Sequence, residues 1–297
     1  MSRQRLLILL NPRAGAGRGE ARLRGLLKSR SELANRARVV AIDPEQDLRR
    51  VLGGLSEHEL PVAAGGDGTV NSVVLGLRGT DSSRSFGVLP LGTGNTFAHT
   101  AGITGLGAAV DALEHGETIS LAVLVTDRPE VPVVMVSLST GFESGVVAAA
   151  HRWSTWRRYP AGLLCVGRLA GRRVTGIALS ADDNLVAGPG ERVFNVGVYN
   201  SPVYGCGRVV LPGADPSDAR ADAVVHRTAI GYWRAMRQGL PAGASDSARR
   251  SCRRWTLESP HGIQFDGEVG PAGTYECHVE PDAIRVVAPG PACVEAA

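Results

Sequence analysis

A chain of 297 residues, 43% of them apolar, exceeds one typical domain and carries enough core-forming side chains for two. The net charge of +3 is small for this length and no basic run is interleaved with aromatics, so nothing points to a nucleic-acid partner. A single lysine, Lys28, stands against 31 arginines, which excludes a P-loop and leaves arginine and backbone N–H groups to hold any phosphate.

Leu6-Leu7-Ile8-Leu9-Leu10 is an uninterrupted apolar run that predicts a central parallel strand; it is too short for a signal-peptide core or a membrane span. A glycine-rich loop, Asn11 to Gly19, follows. Glu20 to Arg30 reads as a helix, Val39 to Ile42 as a strand and Asp47 to Leu55 as a helix. Leu60 to Ala64 then leads into Gly65-Gly66-Asp67-Gly68-Thr69-Val70-Asn71. Val70, Val73, Val74 and Leu77 lie at i, i+3, i+4 and i+7, which predicts a helix beginning near Thr69. Its N-terminus, with unpaired N–H groups and missing Cβ atoms, suits an anion. A carboxylate beside a phosphate is repelled unless a metal or a reacting hydroxyl lies between them, so Asp67 reads either as chemical or as a helix cap.

Phe86 to Leu89 is the next strand and runs into Pro90-Leu91-Gly92-Thr93-Gly94-Asn95. The helix Gly105 to His115 closes this half. Strands alternating with helices imply a parallel sheet, and such sheets bind ligands beyond the carboxyl ends of their strands, so the three polar loops should meet at one edge.

Near Ser120 the pattern changes. Leu121–Thr126, Val131–Leu138, Val174–Ser180, Val193–Tyr199, Ala223–Ala229, Trp255–Leu257, Ile263–Phe265, Tyr275–Val279 and Ile284–Ala288 are candidate strands, dense enough for a β-sandwich. Two helical segments, Glu143 to His151 and Ala161 to Ala170, flank Trp153 to Tyr159, whose aromatics and arginines suit a headgroup layer or a polar loop packed by its own tryptophans. Leu240 to Arg254 resembles a linker. Five scattered cysteines, Cys165, Cys206, Cys252, Cys277 and Cys293, without a C-x-x-C pair, fit a reduced cytoplasmic protein. No segment reaches membrane-spanning length.

The chain resembles the diacylglycerol kinase catalytic domain family, which includes bacterial soluble lipid kinases and sphingosine kinases. Asn11 to Gly15, Gly65 to Asn71 and Pro90 to Asn95 are similar to its three nucleotide-binding signatures. Ser139-Thr140-Gly141-Phe142-Glu143, Asn200 to Pro212 and Asp266-Gly267-Glu268 extend the likeness in order along the chain. The resemblance implies a fold of the α/β plus β class. Residues 1–120 would form a nucleotide-binding α/β domain like that of phosphofructokinases and NAD kinases, with the tail 289–297 able to pack back on it. Residues 121–288 would form a β-sandwich for the lipid, with the active site between the domains.

It implies ATP and Mg²⁺ as cofactors and transfer of the γ-phosphoryl group to a lipid hydroxyl taken from a membrane surface. That lipid would be diacylglycerol-like or sphingoid-like. Carried over position by position, Asn11, Pro12, Arg13, Ala14, Gly15, Gly65, Gly66, Asp67, Gly68, Thr69, Asn71 and Thr93 are expected at the nucleotide. Asp67 and Glu268 are expected to be catalytic, and Asp215, Asp218 and Arg220 to form a structural Mg²⁺ segment. Ser72, Thr96 and Ala219 depart from the family's usual glutamate, aspartate and glycine. An NAD kinase-like enzyme and a catalytically degenerate nucleotide- or lipid-binding module remain alternatives. Peripheral membrane association is expected, and oligomeric state, a homodimer included, stays open.

Overall fold

In the computed structural model, which describes residues 4–43, 46–152, 172–204, 207–240 and 245–289, the first apolar run is strand β1 (Arg5–Leu10), with Leu6 to Leu10 all buried. It is followed by a one-turn α1 (Ala14–Gly17), α2 (Gly19–Ser29), α3 (Ser31–Arg36), β2 (Ala37–Ala41), α4 (Arg49–Leu52) and β3 (Glu59–Gly65). Next come α5 (Asp67–Arg78), β4 (Ser85–Pro90), α6 (Thr96–Thr100) and α7 (Leu106–His115). All strand pairs here are parallel. β1 lies between β2 and β3, and β4 flanks β3. Leu10 is level with Ala41 and Ala64, and Gly65 with Pro90. That register brings the loops after β1, β3 and β4 to the same edge of the sheet.

Val70, Val73, Val74 and Leu77 of α5 are buried, as their spacing requires. The helix starts at Asp67 rather than near Thr69 because the Gly66 carbonyl already accepts the N–H groups of Thr69 and Val70, at 3.0 and 3.1 Å.

The chain divides into two units. The first comprises residues 4–121, Gly207 and 282–289, and the second 122–204 and 208–281. The second holds most of β5 (Glu117–Thr126), then β6 (Val133–Val134), β7 (Ser137–Gly141), α8 (Phe142–Arg152), β8 (Ala178–Ala181), β9 (Asn184–Ala187) and β10 (Asn195–Tyr199). β11 (Val203–Tyr204) pairs with β12 (Arg208–Val209). β13 (Ala221–His226), α9 (Ala229–Gln238), β14 (Ser247–Cys252), β15 (Arg254–Ser259), β16 (Ile263–Phe265), β17 (Glu268–Gly270) and β18 (Gly273–Ala288) complete it. One antiparallel sheet runs β14-β13-β10-β7-β16-β17. A second is formed by β9, β8, β15 and residues 273–281 of β18. Leu138, Val196, Val198, Ala223, Val225 and Ile263 from one sheet meet Leu179, Trp255, Leu257, Tyr275 and Val279 from the other in a single apolar core, which makes the unit a sandwich. Residues of β18 beyond 281 pair in parallel with β4 in the first unit, Val286 opposite Phe86.

Three readings of the sequence need correction. Val131 to Leu138 is not one strand: the Asp266 carboxylate accepts the N–H groups of Met135, Val136 and Ser137 at 2.7, 2.8 and 3.1 Å, and these donors are withdrawn from any ladder. The strand expected to reach Ala229 ends at His226. Thr228 there caps α9, its Oγ1 accepting the Gly231 N–H at 3.0 Å. The stretch Leu240 to Arg254 is no linker in its second half, since β14 pairs with β13 from Ser247 opposite His226 to Cys252 opposite Ala221. The segments Trp153 to Tyr159 and Ala161 to Ala170, the tail from residue 290, and Cys165, Cys206 and Cys293 lie outside the described residues. Cys252 and Cys277 are free and buried, and burial pushes the Cys252 thiol up to about 12. Among the described residues no helix is long and apolar enough to cross a membrane.

Candidate active site

Three loops of the first unit close on one another at the carboxyl edge of the parallel sheet. Leu91 and Gly92 donate their N–H groups to the Gly65 carbonyl at 2.9 and 3.1 Å, which ties the third loop to the second. A Cβ at Gly92 would stand 2.5 Å from the Gly66 Cα, so the two backbones meet at a distance only glycine permits. The first loop is tied in by Arg22, whose Nη1 donates to the Leu91 carbonyl at 2.8 Å, and by Asn11, whose Nδ2 donates to Thr69 Oγ1 at 3.2 Å. Gly15 adopts φ +59° and faces the same Leu91 carbonyl, where a Cβ would sit at 2.5 Å. Pro12, Arg13 and Ala14 complete that first loop. Arg13 pairs with Asp43 at 2.6 Å on the exposed side, while Ala14 is buried.

Asp67 is the centre of this arrangement. Its Oδ1 accepts the Phe97 N–H at 2.8 Å and its Oδ2 the Thr96 N–H at 3.1 Å, so a carboxylate at the start of α5 caps the N-terminus of α6. Burial pushes the carboxyl above its ordinary value, against those two donors and the nearby His99 imidazole. Asn95, held at φ +50°, donates its Nδ2 to the Gly92 carbonyl at 3.0 Å, and its buried Oδ1 has no donor among the described residues. Gly68, Asn71 and Ser72 lie on the first two turns of α5, where Ser72 Oγ returns to the Gly68 carbonyl at 2.9 Å; Thr93 is exposed at the tip of the third loop.

The other expected site residues lie in the second unit. Asp266 and Gly267, at φ +48° and +88°, form the two-residue turn of the β16–β17 hairpin. Glu268 is the first residue of β17; its side chain is 52% exposed, with Oε2 3.7 Å from His151 Nε2. Asp215 and Asp218 each accept a backbone N–H two residues ahead, from Ser217 and Arg220, at 2.8 and 2.9 Å. Arg220 points away to Ser251, with Nε to Oγ at 2.7 Å, and a cation offers a metal no lone pair. These residues line an open cavity of about 700 Å³ together with Asp222 and Arg249. Among the described residues no group of three or more His, Cys, Asp or Glu side chains could by itself hold a metal ion.

One polar cluster was not read as such from sequence, although Ser139 and Glu143 stand in the quoted Ser139-Thr140-Gly141-Phe142-Glu143 stretch. Glu143, buried at the start of α8, accepts a hydrogen bond from Ser139 Oγ, from Tyr199 OH at 3.0 Å and from Tyr232 OH at 3.1 Å. Its own N–H donates to Asn195 Oδ1 at 3.0 Å. Burial pushes its carboxyl up against those donors. The void beside it, about 10 Å³, admits at most one water. The signal available was Ser139 and Glu143 four residues apart across a strand-to-helix junction of otherwise apolar residues.

The architecture is thus an α/β unit with three loops gathered at one sheet edge beside Asp67, followed along the chain by an antiparallel sandwich. Residues 5–125 match the family described as "Diacylglycerol kinase catalytic domain". The chain is 53% identical over 49 residues to "Diacylglycerol kinase" of Bacillus subtilis (strain 168), a match that covers 16% of each protein. It is 34% identical over 110 residues to "Acylglycerol kinase, mitochondrial" of Xenopus laevis, covering 33% of this chain and 26% of that one. These first relatives are thus matched over about a quarter of their length or less. A longer match, 27% identical over 248 residues and 78% of both chains, is to "Probable lipid kinase YegS-like" of Pseudomonas fluorescens (strain Pf-5). A candidate diacylglycerol kinase from Bacillus anthracis (strain Sterne) superposes with a TM-score of 0.77 over 98% of this chain and 97% of that one, at 16% identity, and so shares the fold.

Proposed function

We propose that this protein is an ATP- and Mg²⁺-dependent lipid kinase that transfers the γ-phosphoryl group to a hydroxyl of a diacylglycerol-like or sphingoid-like lipid. The observation that carries the reading is the convergence of the three loops on Asp67. The residues fit a nucleotide. The close Gly66–Gly92 contact keeps side chains out of an edge where an α-helix begins, and the Asn95 oxygen has no donor among the described residues. They also fit a hard cation, which typically takes one or two carboxylates plus substrate phosphate oxygens, with Asp67 as the carboxylate. Bound there, Mg²⁺ would neutralise charge on the phosphates.

In this reading Arg13 exchanges its exposed Asp43 partner for phosphate, a change that costs little because an exposed pair is worth under about 1 kcal/mol. The positive end of α5 attracts the anion, and Asp67, fixed by Thr96 and Phe97, orients what lies above it. Glu268, exposed and beside His151, is the candidate acceptor of the hydroxyl proton. Ser72 and Thr96 leave this arrangement intact, because Ser72 bonds its own helix and Thr96 acts through its backbone. Asp215 and Asp218 are candidate structural metal ligands through their free carboxylate oxygens. The lipid would be collected from a membrane surface by a peripheral, cytoplasmic enzyme.

The test is transfer of ³²P from γ-labelled ATP to a lipid panel and, in parallel, to NAD, with and without Mg²⁺. Label in a lipid, dependent on Mg²⁺, is expected. Label in NAD alone would replace the reading with an NAD kinase, and nucleotide binding without transfer would reduce it to a binding module.

A further inference from the structure

Helix α9 buries one face and, among the described residues, leaves the other without a partner. Gly231, Tyr232 and Ala235 point inward, and Tyr232 stacks among Phe142 and Phe194 at ring distances of 5.2 and 5.4 Å. On the opposite face stand Ile230, Trp233, Arg234 and Arg237, at i, i+3, i+4 and i+7, a spacing that places them on one stripe. Ile230 is 71% exposed and Trp233 38% exposed, large apolar side chains one turn apart. Trp233 is held by edge-on contacts to Phe142 and Tyr232 at 5.6 and 5.3 Å, so it is presented rather than folded away. Arg234 reaches Asp246 only at 3.7 Å, and the helix itself, Ala-Ile-Gly-Tyr-Trp-Arg-Ala-Met-Arg-Gln, carries no acidic residue.

We propose that this face of α9 docks on an anionic lipid surface, with Ile230 and Trp233 entering the boundary between headgroups and acyl chains and Arg234 and Arg237 meeting lipid phosphates. Apolar and aromatic residues beside arginines on one stripe of a helix lying in the interface plane are the pattern such docking uses. The stripe's own charges, Arg234 and Arg237, are both positive, and with Asp246 beside Arg234 the balance stays positive, which favours an anionic surface. A protein partner fits less well: ten residues of helix span about 15 Å, a patch far below the roughly 800 Å² per side of a stable protein interface. The proposal rests on the lipid-kinase reading for its purpose, since a chain with a lipid substrate must reach it at a bilayer.

The experiment is co-sedimentation of the full chain with vesicles of phosphatidylcholine alone and of phosphatidylcholine with 30% phosphatidylglycerol, at low and high salt, beside size-exclusion chromatography with light scattering. Wild type is expected to partition onto the anionic vesicles and to be released by salt. Arg234→Gln with Arg237→Gln should lower that partition by about fivefold per arginine, with little effect on neutral vesicles. Ile230→Ser, a change at a side chain too exposed to affect folding, should lower it on both. Unchanged partition in both variants would overturn the proposal, as would no partition of the wild type. A wild-type dimer dissociated by Ile230→Ser would overturn it in favour of contact between two copies. Phosphorylation of a detergent-dispersed lipid separates the two levels. Activity there that survives Ile230→Ser supports docking at this face, whereas absence of activity in the wild type sinks the kinase reading without bearing on vesicle partition.

Discussion

Replacing Asp67 by asparagine should weaken the first unit as well as any chemistry at its loops. The carboxylate accepts two backbone N–H groups of α6, at 2.8 and 3.1 Å, one on each oxygen. Asparagine keeps one oxygen; its NH₂ group then confronts the second N–H, donor against donor. A hydrogen bond to a charged group contributes about 1.5–3 kcal/mol, and an unmet buried donor costs about 1–3 kcal/mol. Relief of the burial that raises the Asp67 carboxyl offsets part of this loss, leaving about 2 kcal/mol. At roughly 2–4 °C per kcal/mol, the first unit should melt about 4–8 °C lower. Differential scanning calorimetry reads the shift, and hydrogen exchange at the Thr96 and Phe97 amides locates it. A melting temperature within about 1 °C of wild type, with unchanged exchange at both amides, would refute the idea that Asp67 joins α5 to α6.

Gly92→Ala would push a methyl group to 2.5 Å from the Gly66 backbone and should destabilise by about 1–3 kcal/mol, measured by urea unfolding; an unchanged midpoint would mean the loops are not in contact as described. Ala219, which stands at φ +57° where the related motif has glycine, should gain from Ala219→Gly. Left-handed strain of about 1–2 kcal/mol is relieved against an entropic loss of about 0.4–1 kcal/mol, so a small rise in melting temperature is expected and a fall would place the turn differently. Glu143 supplies the pH prediction. Its carboxyl is raised above 4.5 in the folded state, so between the unfolded and folded values the native protein binds the extra proton and stability falls as pH rises, by roughly 1 kcal/mol per unit. Glu143→Gln should flatten that fall in thermal melts taken across the window above pH 4.5; an equal slope in both proteins would assign it elsewhere.

Much of the first unit was legible because its signals are local. Leu6 to Leu10 and Leu60 to Ala64 are continuous apolar runs that only a strand buried on both faces accommodates, and parallel pairing sends their glycine loops to one edge. The second unit was harder. Gly231, Tyr232 and Trp233 are poor helix formers, and the run before them alternates like a strand, so α9 was invisible; packing of Tyr232 against Phe142 and Phe194 overrides that propensity. The break between β6 and β7 depends on Asp266, some 130 residues away, which no window of sequence contains.

The candidate site was legible in its residues and not in its partners. Whether Asp67 caps a helix or serves chemistry was posed from sequence as a choice, with its own helix as the one to be capped. It caps α6 instead, 29 residues on, and this removes the opposition. Backbone N–H groups from Thr96 and Phe97 fix one oxygen each, which is the preorganisation that a group positioning a cation or a hydroxyl requires. The contrast with Glu143 makes the same point from the other side. That carboxylate takes donors on both oxygens from Ser139, Tyr199 and Tyr232 beside a void of about 10 Å³, so nothing larger than water can reach it. Of two buried-side carboxylates at helix starts, one is saturated and structural, and the other is bound only as far as its orientation needs.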